Sequence, residues 1–280
     1  MKLTKEEQRM HREACALVKK RGPLTEDEKD IVLNHWQESS TTSNALDGAY
    51  FTPEMYAWDF RLEVNGARII DLCAGIGRLA NAALEQRIRT HEGLRSPELV
   101  CVERNPVYVE VGRKVVPEAT WICADVLEVG GMGLGRFDTA MANPPFGRIE
   151  RSGNGPRYRG PNFEFHVIDV ASRLARRGAF IIPQMSAPFR NSGQPFRVDQ
   201  DSTAYERFHR ETGITLVEGS LCMDTAFYDG EWRGVSPRTE VVVCDFEEKP
   251  EPPQRTRMPR PAPVREPVPV VAAHADGMLF

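Results

Sequence analysis

The sequence predicts a doubly wound α/β domain, a parallel sheet with helices on both faces and an antiparallel pair of strands closing one edge. Two observations carry this. Between about residues 49 and 248, short apolar runs that end at polar or turn residues alternate with helical stretches. Such units need right-handed crossovers and therefore build a parallel sheet. Towards the end of that span, two further strand-like runs follow each other with no clear helix between them.

The elements follow in chain order. Residues 1 to about 48 are polar and helix-prone. A helix around 4–20 is broken by Gly22-Pro23. A second begins where Thr25 stands three residues before Glu28, a capping-box spacing, and puts Ile31, Val32, His35 and Trp36 on one face. This region reads as a helical arm packed on the main domain. The runs ARIIDL, ELVCVE, ATWICAD, FDTAMAN and GAFIIPQ are the expected parallel strands, and GRLANAALEQRI, PVYVEVGRKV and FHVIDVASRLARR the helices between them. Arg173, Arg176 and Arg177 are placed on the last of these helices, facing solvent. GITLVEGS and TEVVVCDFE form the expected antiparallel pair, and 187–236 reads as an insertion. Residues 249–280 hold a proline-rich run that excludes helix or sheet interior, so an extended, solvated tail is expected. It reads as inert, with partner binding as the alternative.

Composition bounds the function. Of 280 residues, 41% are hydrophobic and 27% charged, enough to build a core and exclude wholesale disorder. Lys plus Arg is 36 against 40 for Asp plus Glu, which argues against a generally basic nucleic-acid-coating protein but leaves room for a local patch. No apolar run approaches the ~20 residues of a membrane span. The charged N-terminus does not read as a secretory signal. A cytoplasmic protein without membrane contact is expected. Six cysteines include no CxxC pair and no Cys/His cluster, so neither a metal site nor a disulfide framework is expected.

The chemistry begins at ARIIDLCAGIG. A buried strand ends near Asp71 and turns through Cys73, Ala74, Gly75 and Gly77 into a helix. Glycines there permit a tight turn and close approach of a ligand. The second strand ends at Glu103, placed to accept both hydroxyls of a ribose. The third ends at Cys123-Ala124-Asp125-Val126, where Asp125 can accept from an adenine amino group. These features suit a nicotinamide cofactor and S-adenosylmethionine equally. Asn143-Pro144-Pro145-Phe146, directly after the fourth strand, decides between them. A nucleobase amino group is a poor nucleophile, because its lone pair is delocalised into the ring. The Asn143 side-chain oxygen and the Pro144 carbonyl can accept hydrogen bonds from it and favour a tetrahedral nitrogen facing a methyl donor. The prolines hold these acceptors in place, and Phe146 offers a face for stacking. A dehydrogenase reading gives this motif no task.

DLCAGIG, ERNP, CADV and NPPF, in that order, resemble the class I S-adenosylmethionine-dependent methyltransferases that act on amino groups, most of all the N6-adenine DNA methyltransferases. Gly48-Ala49-Tyr50-Phe51-Thr52-Pro53 resembles the Phe-Thr-Pro element that precedes the first glycine motif in that group. The resemblance covers about residues 48–246 in the gamma motif order. It implies a Rossmann-like seven-stranded sheet with the last strand antiparallel, and S-adenosylmethionine as cofactor. Thr52, Asp71, Gly75 and Gly77 would surround its methionine part, with Phe51, Pro53, Cys73 and Ala74 as further cofactor contacts. Glu103 would take the ribose, Asp125 and Val126 the adenine, with Arg104 placed against that adenine and Asn143 a further cofactor contact. Arg104 departs from the apolar residue the family often has there.

After NPPF, residues 147–160 carry four arginines and one glutamate among several glycines. Arg148, Arg151, Arg157 and Arg159 are the expected phosphate contacts and Tyr158 a base-stacking residue. The expected substrate is nucleic acid, with DNA favoured over RNA. No separate recognition domain is visible, so specificity is expected to be short or loose, or supplied by a partner subunit. Competing readings are an rRNA-type adenine N6 or guanine N2 methyltransferase, a protein glutamine methyltransferase, and a non-catalytic accessory or decoy on the same scaffold.

Overall fold

The computed structural model describes residues 4–36, 50–90, 97–232 and 236–247. The chain divides into a unit spanning Met1–Pro250 and a C-terminal unit, Glu251–Phe280, that lies outside the described residues, as do the proline-rich tail and Gly48-Ala49.

Strands β1 (Arg68–Leu72), β2 (Glu98–Glu103), β3 (Thr120–Cys123), β4 (Phe137–Ala142) and β5 (Ala175–Pro183) are parallel. With β8 (Val217–Glu218) and β9 (Thr239–Asp245) they form a seven-stranded sheet of order β3-β2-β1-β4-β5-β9-β8. The last strand, β9, runs antiparallel to both its neighbours. A two-stranded ribbon of β6 (Phe189–Arg190) and β7 (Val198–Asp199) stands apart from the sheet.

Both faces of the sheet are covered, which is why its strands read as near-continuous apolar runs. The two-residue period of a strand sends Ile69, Leu99, Cys101, Met141 and Ile181 into one layer and Ile70, Val100, Val102, Ala140 and Ile182 into the other. Helices α1 (Lys5–Lys19), α2 (Glu26–His35), α3 (Glu54–Phe60), α4 (Arg78–Thr90) and α5 (Pro106–Val115) belong to the first layer. Helices α6 (Phe163–Leu174) and α7 (Thr203–Thr212) belong to the second.

The Thr25 capping box is formed in both directions: the Glu28 amide donates to the Thr25 hydroxyl, and the Thr25 amide to the Glu28 carboxylate. The α1–α2 pair is fastened to the sheet domain. The Lys114 ammonium donates to the Lys20 carbonyl at 2.6 Å and to that of Gly22. Asn34 accepts from the Arg78 guanidinium and donates to Glu54.

Two expectations are corrected. Helix α6 ends at Leu174, so Arg176 and Arg177 lie on β5, where backbone pairing of Ala175 with Phe137 and of Arg177 with Thr139 and Asp245 outweighs helical continuation. The segment read as an insertion contains α7, which lies in the crossover from β5 to β8. Ser202 caps its start, and Gly213 ends it in the left-handed conformation (φ +72°). Its sequence, TAYERFHRET, buries only Phe208 and Thr212, too sparse an apolar stripe to declare itself. Helix α3 was not predicted either. All six cysteines are free thiols. Among the described residues no helix is long and apolar enough to cross a membrane, and no cluster of His, Cys, Asp or Glu could hold a metal ion.

Candidate active site

The parallel strands deliver their last residues to one edge of the sheet. There Asp71 lies one residue before the end of β1, Glu103 ends β2, Asp125 follows β3, and Asn143 follows β4. A cleft opens between them. Its walls include Phe51, Cys73, Gly75, Glu103, Arg104, Asp125, Val126, Asn143 and Pro145 of the predicted residues. Thr52, Pro53, Asp71, Ala74, Gly77, Pro144 and Phe146 do not line it, nor do Arg148, Arg151, Arg157, Tyr158 and Arg159.

Cys73 (φ +67°) and Gly75 (φ +56°) turn the chain sharply out of β1. The Gly75 amide donates to Glu103 Oε2 at 2.9 Å, and the Asn105 amide to Oε1 at 2.8 Å. Burial raises the Glu103 pKa above the ordinary carboxyl value, and these amides pull it back. Gly77 has a different role from the one predicted. With φ at +93°, a Cβ there would sit 3.0 Å from Val116 and 3.2 Å from the Trp121 ring, so this glycine lets the turn pack against the neighbouring chain. Asp71 is 1% exposed, and neither carboxylate oxygen has a hydrogen-bond partner. Burial, then the nearby Glu103 charge, push its pKa well up.

Asn143 is oriented from upstream. Its Nδ2 donates to the Tyr50 carbonyl at 3.0 Å and to the Thr52 hydroxyl at 2.9 Å. A carbonyl can only accept, so the amide nitrogen must face it, and Oδ1 is left for another donor. The Phe-Thr-Pro element thus meets the Asn-Pro-Pro-Phe turn directly, and the Thr52 hydroxyl accepts from Asn143. Phe146 packs on Tyr50, ring centroids 6.0 Å apart. Phe51 packs on Tyr108 at 5.4 Å, and Trp36 from the arm backs both at 6.4 and 5.7 Å.

The loop after NPPF is strapped down instead of free. Helix α6 buries Glu164, His166 and Asp169 completely, and each holds part of it. Glu164 accepts from the Gly147 amide (2.8 Å), Asn162 (3.0 Å) and the Ser186 hydroxyl (2.7 Å). His166 Nδ1 accepts from the Gly155 amide, and its Nε2 donates to the Gly160 carbonyl, both at 2.9 Å. Burial holds its pKa down at about 4, so the ring is neutral. Asp169 accepts from the Arg157 guanidinium and from the amides of Arg157 and Tyr158.

These bonds engage most of the predicted substrate contacts within the protein. Arg157 also donates to the Thr212 carbonyl and the Ser172 hydroxyl. Tyr158 is 0% exposed, packed on Phe165, His166 and Phe208, and has no face left for a base. Arg159 donates to the carbonyls of Gly155, Pro156 and Tyr158, and Arg151 to Asn154 and the Gly160 carbonyl. Of the five, Arg148 alone is exposed with its guanidinium unbonded among the described residues. Ser152, on the same loop, donates to Asp125 Oδ2 at 2.8 Å, while Oδ1 caps the turn at Leu127.

Tyr50, Asn105, Tyr108, Ile149, Glu150 and Phe163 also line the cleft and were not predicted. Tyr50 sits inside the quoted GAYFTP element, and Phe163 starts a predicted helix, but neither pattern says which side chain turns inward.

The strand order, the antiparallel β9 and the placement of the cleft define the fold of the class I methyltransferases. The chain is similar to several solved structures. The modification subunit of a candidate type I restriction enzyme from Vibrio vulnificus YJ016 aligns with 79% of this chain and 49% of its own, at a TM-score of 0.53 and 13% identity. A type I restriction-modification methyltransferase subunit from Streptococcus thermophilus aligns with 71% and 45% (TM-score 0.49, 15% identity). A candidate RNA methyltransferase from Pyrococcus horikoshii aligns with 79% and 97% (TM-score 0.45, 18% identity). The chain spans about half the length of the two restriction-modification subunits. No protein-family profile and no curated protein sequence matches it.

Proposed function

We infer that this protein transfers a methyl group from S-adenosylmethionine to an exocyclic amino group of a nucleobase in nucleic acid, with adenine N6 in DNA as the leading acceptor. The observation that carries the reading is the Asn143 amide, turned by Tyr50 and Thr52 so that its oxygen is the atom left to accept.

The cleft fits a cationic cofactor. Glu103, Asp125 and Glu150 line it, with Arg104 the one cation among the lining residues, and Asp71 lies close enough to Glu103 for the two charges to interact. That field repels a dinucleotide's pyrophosphate. The Gly75 amide, which would cradle a phosphate in such a site, is already given to Glu103. An unpartnered buried carboxylate such as Asp71 is costly unless protonated or matched by a cation. When bound, S-adenosylmethionine supplies an electrophilic methyl group on a sulfonium.

This chain's residues do the rest. Glu103 has acceptor capacity left for ribose hydroxyls, and Asp125 and Val126 flank the adenine end. Asn143 Oδ1 and the Pro144 carbonyl accept from the acceptor's amino group and hold its lone pair towards the methyl, and Phe146 stacks on the base. A base in a duplex must leave the stack to reach these groups.

The test is transfer of labelled methyl to unmethylated DNA, total RNA and protein extract in parallel, followed by digestion of the product. N6-methyldeoxyadenosine is expected, with kcat about 100-fold lower or less than that in Asn143→Ala and donor affinity within a few-fold of the parent. Label in RNA would change the acceptor polymer, and label in protein would overturn the nucleobase. With Arg151, Arg157 and Arg159 bonded within the protein, that loop argues less strongly against a protein amide. No transfer with donor binding intact would call for the partner subunit.

A further inference from the structure

The three most exposed large apolar side chains among the described residues are Met185 (79%), Phe196 (81%) and Phe227 (82%). All three lie between β5 and β9, on segments tied together by one buried carboxylate. Glu240 on β9 is 0% exposed and accepts from the Gln184 side chain, the amides of Asn191 and Ser192, and the Ser192 hydroxyl. The Ser192 hydroxyl in turn bonds Thr225, and the Gly193 amide donates to Asp224. The backbone beside Met185 is further held by Ser202 donating to its carbonyl and Gln200 to those of Gln184 and Ala187. These apolar groups therefore project from braced segments, where exposed apolar side chains can serve an interaction surface.

A buried carboxylate ties one of these segments to the proposed active site. Glu164 accepts both from the Gly147 amide, the residue after NPPF, and from Ser186, the residue after Met185. Exposed arginines flank it. Arg148 follows Gly147, Arg190 is on β6, and the Arg238 guanidinium lies over Gly193. None of the three has a side-chain partner among the described residues. Arg197, by contrast, is neutralised by Asp199 and Glu218.

We propose that this surface binds an unpaired stretch of nucleic acid leading into the Asn143 site, with Phe196 and Phe227 stacking on successive bases, Met185 packing beside the acceptor, and Arg148, Arg190 and Arg238 meeting phosphates. Interleaved flat apolar groups and unpaired guanidinium groups are what a single strand requires. The inference rests on the nucleic-acid reading above, but it moves the substrate contact away from the Arg157–Arg159 loop.

Fluorescence anisotropy with a short labelled oligonucleotide, as single-stranded DNA, single-stranded RNA and duplex DNA, tests it. The full chain is expected to bind the single strands more tightly than the duplex. The Phe196→Ala/Phe227→Ala double variant should weaken single-strand binding about tenfold or more, with donor affinity unchanged. Arg238→Ala should flatten the salt dependence of binding. All these side chains are exposed, so the variants keep the fold. A double variant that binds like the parent, while the parent binds and methylates nucleic acid, sinks the surface and leaves the proposed function standing. A parent that binds no oligonucleotide but self-associates, in a manner the double variant abolishes, replaces the nucleic-acid strand with a protein partner. Methyl transfer to protein alone removes both.

Discussion

Asn143 is short of choices: one neighbour can only accept, so its amide has a single satisfactory orientation. Thr52 supplies the second anchor. Thr52→Val keeps the shape and removes one acceptor, and kcat is expected to fall roughly fivefold to tenfold with little change in KM for the donor, in steady-state kinetics. Thr52→Ser should restore most of the loss. His166 offers a pH signature. Its folded pKa of about 4 lies below its ordinary 6.5, so the unfolded state binds the extra proton between those values. Stability from this residue is complete above pH 6.5 and lost as pH falls towards 4, by roughly 3 kcal/mol in all. Urea unfolding at pH 7 and pH 4.5 should show that loss in the parent and a smaller one in His166→Gln. Equal slopes would mean that His166 titrates normally.

At the scale of elements, α6 stands out because its buried face is polar at three places. Its sequence, FEFHVIDVASRL, reads as a core helix, and it is one. Glu164, His166 and Asp169 are nonetheless turned onto the loop that follows the Asn-Pro-Pro-Phe turn. Glu164→Ala would strand the Gly147 amide and the donors of Asn162 and Ser186, and a loss of about 3 kcal/mol is expected in denaturant unfolding. Helix α2 matters in another way. Its cap residue, Trp36, backs the Phe51 and Tyr108 rings that wall the cleft. Trp36→Ala is expected to weaken donor binding about tenfold by calorimetry, and Trp36→Phe to recover much of it. Unchanged affinity in the folded Trp36→Ala variant would leave the arm a purely structural attachment.

For the molecule as a whole, the cleft is a place where binding stabilises the fold. Asp71 is a buried carboxylate with no partner and Glu103 a half-buried one, and the pKa values of both are raised. A cationic donor bound in this acidic cleft should raise the melting temperature with the logarithm of its concentration, by about 2.7 kcal/mol of stability at 100 times its dissociation constant. A nicotinamide dinucleotide should give no shift. A melting curve that responds to the dinucleotide and ignores S-adenosylmethionine would overturn the cofactor assignment.

Much of this was legible in the chain itself, for local reasons. Strand runs buried on both faces are continuous in apolar residues, so β1 to β5 and their helices could be located in advance. Strand-end acids and the Asn-Pro-Pro-Phe turn are contiguous in sequence because each sits at one strand's end. What pairs across the sheet was not legible. The Tyr50 carbonyl meets Asn143 and Glu164 meets Gly147 only after the strands are in register, while Arg157 and Tyr158 look like exposed loop residues until α6 places Asp169 and Phe165 against them. Residue type determined which groups could do chemistry, and tertiary packing decided which were free to do it, because a buried polar group must find a partner and whichever it takes is lost to substrate.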